Sequence, residues 1–329
     1  MYPAISYNRF SDTLITSNRR VNGLINGTRY LLPKAVDPGP WNVRVGEPTV
    51  GGILKQNKRF VLINARRDSS TIPRGIFAGT WSPHNWFHWT IDTLPAVFVS
   101  RLLPPEFDEY PLILADTTLK HESWREPLDL VRGKRQVISI SSDRYWKVSD
   151  LIWLDNPSNP GPLPLDQTPW PNFRMHGSAM QSYRSFMLEA TGLEAKARAP
   201  FRKVFLARKQ QGNRPYNQNE LTQVADEFGF EPVFLEELNF RQSIEVMVDA
   251  EFIIGPHGAG WANCLYARPG TRAIMWTWPR SVRDNWFANV ASVAGLNFST
   301  IFTDGSDREP FNLNPLVLRQ LLQLELGGS

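Results

Sequence analysis

The chain has 329 residues, 42% of them hydrophobic and 21% charged, enough apolar material for a large core and too much for a disordered chain. At ~150 residues per domain, that length predicts about two domains or one large α/β domain. A net charge of +4, from 36 Lys+Arg against 32 Asp+Glu, does not by itself call for nucleic acid. One cysteine, Cys264, excludes an intrachain disulfide and a cysteine-based zinc site. No apolar run reaches the ~18 residues of a membrane span, and the start MYPAISYNRF has no signal-peptide h-region, so a cytoplasmic protein is expected.

The first part, to about Leu165, reads as irregular, with short apolar runs that predict buried strands at residues 59–65, 110–115, 136–140 and 148–154. One helix is predicted over residues 85–101. The proline-rich stretch 155–171 reads as a linker or crossover, and residues 174–191 as a helix stopped at Gly192. From Lys203 the pattern becomes regular. Strands are predicted at 203–207, 232–235, 251–255, 271–276 and 297–302, and helices at 220–228, 240–250, 258–267 and 281–294. Asn217 and Glu220 resemble an N-cap and its partner, and Gly229 a helix stop. This alternation implies a parallel sheet with helices on its faces. A final helix, 314–326, carries Leu at helical spacing. The expected organisation is an α/β lobe over residues 1–170, a Rossmann-like lobe over 171–312 and a C-terminal helix, 313–329, packing across both.

Three segments carry chemistry. In EFIIGPHGAGWAN a strand runs through Gly255 into His257, Gly258, Ala259 and Gly260 and then a helix. Glycines let a backbone approach a ligand, free N–H groups at a helix start favour an anion, and an imidazole can donate to phosphate or a sugar hydroxyl. The alternative is a tight turn packing helix on strand. In FLARKQQGNRPYN, Arg208 stands at a strand's carboxyl end and Arg214 in the following loop, where open α/β sheets bind ligands; Lys209 adds a point charge. Together the two segments favour a nucleotide-diphosphate site.

In WSPHNWFHWTIDTLPAVF, His84, His88 and Asp92 fall at successive i, i+4 positions of a helix. That face suits a metal, a catalytic base or a His–Asp hydrogen-bonded pair. Metal is disfavoured, because His121 and His176 are the other histidine ligands to hand and neither has supporting spacing. Pro95 predicts a kinked or ended helix, leaving Asp92 near an opening. Of the 12 tryptophans, groups at Trp81, Trp86 and Trp89 and at Trp276, Trp278 and Trp286 suit stacking on sugar rings as well as core packing. No Asp-x-Asp occurs, which argues against an obligatory divalent metal.

These blocks, in this order, resemble the family-61 glycosyltransferases. The family's pattern is an asparagine–aromatic–His block ending in Leu-Pro, then Ser-Arg…Arg-x-x-Asn, then His-Gly-Ala-Gly. Here they read NWFHWTIDTLP (85–95), ARKQQGNRPYN (207–217) and HGAG (257–260), with the similarity running over about 81–277. Ala207 stands where Ser is common, and Pro215-Tyr216 where aliphatics are favoured. The resemblance implies two Rossmann-like lobes of GT-B type around a cleft, a uridine-type nucleotide-sugar donor and inversion at the anomeric carbon. It implies no cofactor and no obligatory metal. Arg208, Arg214, Asn217, Gly255, His257, Gly258, Ala259 and Gly260 would bind the donor. Asp92 would act as base, with His88 as the alternative base or as its orienter, and Asn85, Trp89 and His84 would touch the acceptor or sugar. A glycan acceptor, surface-polysaccharide synthesis in a bacterial cytoplasm, peripheral membrane contact and no nucleic acid complete the expectation. A non-catalytic sugar- or nucleotide-binding protein on the same scaffold is the alternative.

Overall fold

The computed structural model describes residues 5–17, 22–26, 29–31, 53–56, 61–63, 67–79, 84–141, 144–160, 173–194, 199–209, 214–279, 285–306 and 309–327. The chain divides into two compact units, residues 1–187 and 188–329, later than the expected boundary at 170.

The first unit carries a seven-stranded mixed sheet, order β3-β2-β1-β9-β6-β7-β8. Its strands are β1 (Tyr7–Ser17), β2 (Asn22–Asn26), β3 (Arg29–Leu31), β6 (Arg67–Phe77), β7 (Leu112–Ala115), β8 (Val137–Ile140) and β9 (Tyr145–Leu154). β4 (Ile53–Gln56) and β5 (Val61–Ile63) form a separate ribbon, as do β10 (Ser158–Pro160) and β11 (Phe173–Met175). β6, β7, β8 and β9 run parallel, whereas β1 lies antiparallel on β9, Tyr7 facing Leu154 and Ile15 facing Trp146. A purely parallel Rossmann sheet is therefore not what this unit contains. Before residue 75 the one predicted strand, 59–65, contains β5, whereas β1–β4 and most of β6 arise where no strand was predicted. Ile15, Ile72, Phe77, Ile113, Val148, Leu151 and Trp153 close into the core of this sheet. Past β6 the chain enters α1 (Trp86–His88), a π-helical turn (Trp89–Thr93) and α2 (Leu94–Ser100). α3 (Glu122–Arg132) follows β7, and Trp124 on it stacks against Trp89, centroids 5.5 Å apart. The boundary between the units falls inside α4 (Gly177–Ala190), which ends before Gly192 at φ +70°.

The second unit is a five-stranded parallel sheet, order β13-β12-β14-β15-β16, built from β12 (Arg202–Ala207), β13 (Phe230–Phe234), β14 (Ala250–Pro256), β15 (Arg272–Thr277) and β16 (Asn297–Phe302). α5 (Gln218–Glu227) and α6 (Phe240–Asp249) fall where helices were predicted, and Gly229 at φ +77° ends the first. Asn239 and Gln242 complete a reciprocal cap on α6. β12, β14 and β15 are near-continuous apolar runs because parallel strands are covered on both faces. In sequence order the five strands sit 2-1-3-4-5, the doubly wound order whose direction reverses between the first and third. Here that reversal lies between β12 and β14. α7 (Trp286–Ala294) lies within the predicted helix 281–294, whose first residues fall among 280–284, outside the described residues, as do Trp81, residues 161–172 and residues 210–213. α8 (Pro315–Gly327) packs Leu318 and Leu322 into the core of this unit, beside Leu221 and Val224 of α5.

Candidate active site

In the first unit, Asn85 takes an extended conformation and its side-chain oxygen accepts from the Phe87 N–H at 2.8 Å, so the helix begins after it. Asn85 is thus a cap. His84 lies outside the helix, exposed, and does not continue the face of His88 and Asp92. The latter two do meet: His88 Nδ1 is 2.7 Å from Asp92 Oδ2. Of the two outcomes expected from Pro95, the helix does not end there. The chain shifts to π-type bonding, the Leu94 N–H reaching the Trp89 carbonyl, and continues as α2 with Pro95 in its first turn, where its missing N–H is tolerated.

The expected opening beside Asp92 is therefore absent: its side chain is 1% exposed, His88 is 2%, and Trp89, expected at a sugar, is fully buried. The reason lies in β10, within the stretch read as a linker. Ser158 Oγ, fully buried, hydrogen bonds with Asp92 Oδ1 and stands 2.8 Å from the Ile91 carbonyl. In an α-helix that carbonyl would accept from residue 95, which is proline. Burial pushes the Asp92 carboxyl up, against the opposing hydrogen bonds from His88 and Ser158. With both carboxylate oxygens engaged, Asp92 is placed to orient His88.

In the second unit, the loops after β12 and β14 meet at the strand-order reversal. The Arg208 guanidinium donates to the Arg214 carbonyl at 2.8 Å and to the His257 carbonyl, and lies over the rings of Tyr216 and Phe311. It braces one loop on the other, and burial pushes its pKa down. Gly258 makes room for it: a Cβ there would stand 2.7 Å from Arg208 Nη2. Gly255 serves packing, since a Cβ would stand 2.8 Å from the Cβ of Leu206 on β12. Arg214 lies over Trp278 and donates from Nη1 to His257 Nδ1 at 3.1 Å. His257 is 8% exposed, against Trp278 and Phe287. Burial, with the charges of Arg214 and Arg208 beside it, pushes its imidazole down to about 3, so it is neutral. Because Nδ1 accepts from Arg214, the ring proton sits on Nε2, which is thereby a donor.

The segment after Gly258, predicted as an ordinary helix, is a 3₁₀ run (Ala259–Tyr266). Asn263 Nδ2 claims the Gly260 carbonyl at 3.0 Å, the acceptor that an α-helical bond from Cys264 would need. Asn217 departs from its expected role too. Its amide pairs with the backbone of Leu313 (3.0 and 3.2 Å) and with Glu220 Oε2 at 2.7 Å, so it tethers the segment before α8 and makes no side-chain cap. Lys209 pairs with Glu237 on the surface.

A neutral imidazole donor, a guanidinium and a glycine-lined turn thus meet at the strand-order reversal of a doubly wound α/β sheet. The Glycosyltransferase 61 profile matches residues 86–274, more than half of the chain, and the protein belongs to this family. Comparison with curated proteins gives no match. Among the described residues no group of three or more His, Cys, Asp or Glu is placed to hold a metal, and no helix is long and apolar enough to cross a membrane.

Proposed function

We propose that the chain is an inverting glycosyltransferase that moves a sugar from a uridine-diphosphate-type donor to a hydroxyl of a glycan acceptor, in the two-lobe GT-B manner. The observation that carries this reading is the meeting of Arg214, His257 and the Gly258–Gly260 turn where the strand order reverses, in a chain of this family. Arg214 and the His257 Nε2–H stabilise charge developing on the leaving diphosphate, and Arg208 holds their loops in place. The first unit receives the acceptor. There His88, oriented by Asp92, takes the hydroxyl proton through Nε2. With Asp92 ionised and His88 neutral the pair is a buried net negative charge, which burial disfavours, so it accepts a proton readily. The cations of the second unit substitute for a divalent metal, and turnover is expected to survive a chelator.

Release of nucleoside diphosphate, followed over a panel of nucleotide sugars and glycan acceptors, tests this. His88→Gln is expected to lower turnover ~10²–10⁴-fold while diphosphate affinity stays within a few-fold. Near-normal turnover in that variant would remove the base assignment. One observation favours a binding-only protein: Asp92 and His88 are both closed off from solvent. Donor binding without transfer or slow hydrolysis under every acceptor would decide for it.

A further inference from the structure

Ser158 belongs to none of the family-like blocks, yet its side chain is fully enclosed beside the Asp92–His88 pair. Two constraints fix it. Its N–H donates to Asn156 Oδ1 at 3.1 Å, and it pairs with Met175 across the β10–β11 ribbon, whose approach is continued by the His176 N–H on the Pro157 carbonyl at 2.8 Å. Its hydroxyl then has three acceptors in reach, Asp92 Oδ1, the Ile91 carbonyl and, at 3.3 Å, Asn156 Oδ1. A hydroxyl owns one proton and two lone pairs, so it cannot donate fully to more than one of them at once.

We propose that Ser158 is a positioning residue for the Asp92–His88 pair, its hydroxyl donating to Asp92 Oδ1 while Oδ2 faces His88 Nδ1. In the transfer step the proton leaving the acceptor hydroxyl appears on His88 Nε2, Asp92 stays ionised, and Ser158 donates to Oδ1 before and after. When at lower pH the carboxyl takes a proton from solvent on Oδ1, it donates to Ser158 Oγ, and Ser158 turns its own proton to another acceptor in reach, the Ile91 carbonyl among them. In both states Asp92 Oδ1 keeps a hydrogen bond inside the protein. No covalent bond other than O–H and N–H is made or broken. The groups acting on Asp92 are His88 on α1 and Ser158 on β10; α2, packed on the same turn, carries no titratable side chain.

The inference rests on the reading of His88 and Asp92 as the base pair, and its test is read without turnover. Carboxyl carbon signals of the full chain, followed by NMR against pH, report Asp92 directly. Ser158→Ala removes a donor that opposes the burial of Asp92, so its titration is expected to move further up by about one pH unit, and Ser158→Thr, which keeps the hydroxyl, to restore it. Where activity is measurable, the acid limb of the kcat profile is expected to move in the same direction with KM nearly unchanged. Should Ser158→Ala not fold, Ser158→Cys replaces it, the weakly donating thiol shifting the titration the same way. An Asp92 titration that stays at the wild-type position in the Ala or Cys variant would overturn the proposal. A wild type that titrates as described but transfers no sugar would instead refute the proposed activity and leave Ser158 supported.

Discussion

Gly258→Ala isolates the brace on which the second unit's site depends. Gly258 has φ 177°, extended backbone open to any residue, so alanine meets no conformational penalty there. It meets Arg208: the new Cβ lies 2.7 Å from Nη2, well inside contact distance. The guanidinium cannot simply lift away, since it is held by the carbonyls of Arg214 and His257 and lies over Tyr216 and Phe311. Losing two charge-assisted bonds costs roughly 1.5–3 kcal/mol each, and the stiffer unfolded chain returns ~0.4–1 kcal/mol. A net loss of about 3 kcal/mol is expected in denaturant unfolding. Diphosphate affinity is expected to fall with it, because the freed loop carries Arg214. In an Arg208→Ala background the same substitution should cost almost nothing, a coupling of ~2–3 kcal/mol in a double-mutant cycle. A cost within ~0.5 kcal/mol of zero in the wild-type background, or an equal cost in both, would show that Arg208 does not brace the turn.

Burial of Asp92 sets a pH dependence of unusual sign. Between the ordinary carboxylate range and its raised value, the folded chain keeps a proton that the unfolded chain has released, so stability falls as pH rises through that window. Asp92→Asn is expected to gain stability relative to wild type across that window; unfolding midpoints from pH 4 upward that stay parallel would refute it. Asn217→Ala breaks the amide pairing with Leu313 and is expected to cost ~1–3 kcal/mol in thermal or chemical unfolding while leaving diphosphate affinity within two-fold. A selective loss of affinity with unchanged stability would return Asn217 to the donor site.

The second unit was legible because parallel strands covered on both faces must be apolar runs: KVFLA and EFIIG stand out from their glycine and polar borders. The first strand was not. In YNRFSDTLITS the enclosed positions are Thr13, Ile15 and Thr16, two of the three polar, a weak signal among polar residues. At the site, residue types and strand ends pointed to Arg208, Arg214 and His257. Their division of labour, one guanidinium bracing and the other beside the imidazole, depends on a carbonyl 49 positions from Arg208 in sequence. Ser158 was hidden for the same reason. Its role follows from a proline in a helix whose carbonyl lies 67 residues away, and no local pattern records that pairing.

The most direct measurement is calorimetric binding of uridine diphosphate and of uridine to wild type and to Arg214→Ala. With Arg214 on the diphosphate, the variant is expected to lose roughly ten-fold or more in affinity for uridine diphosphate, about 1.5–3 kcal/mol, and little for uridine. Equal losses for the two ligands, or no binding of uridine diphosphate by the wild type, would contradict a diphosphate site where the loops after β12 and β14 meet.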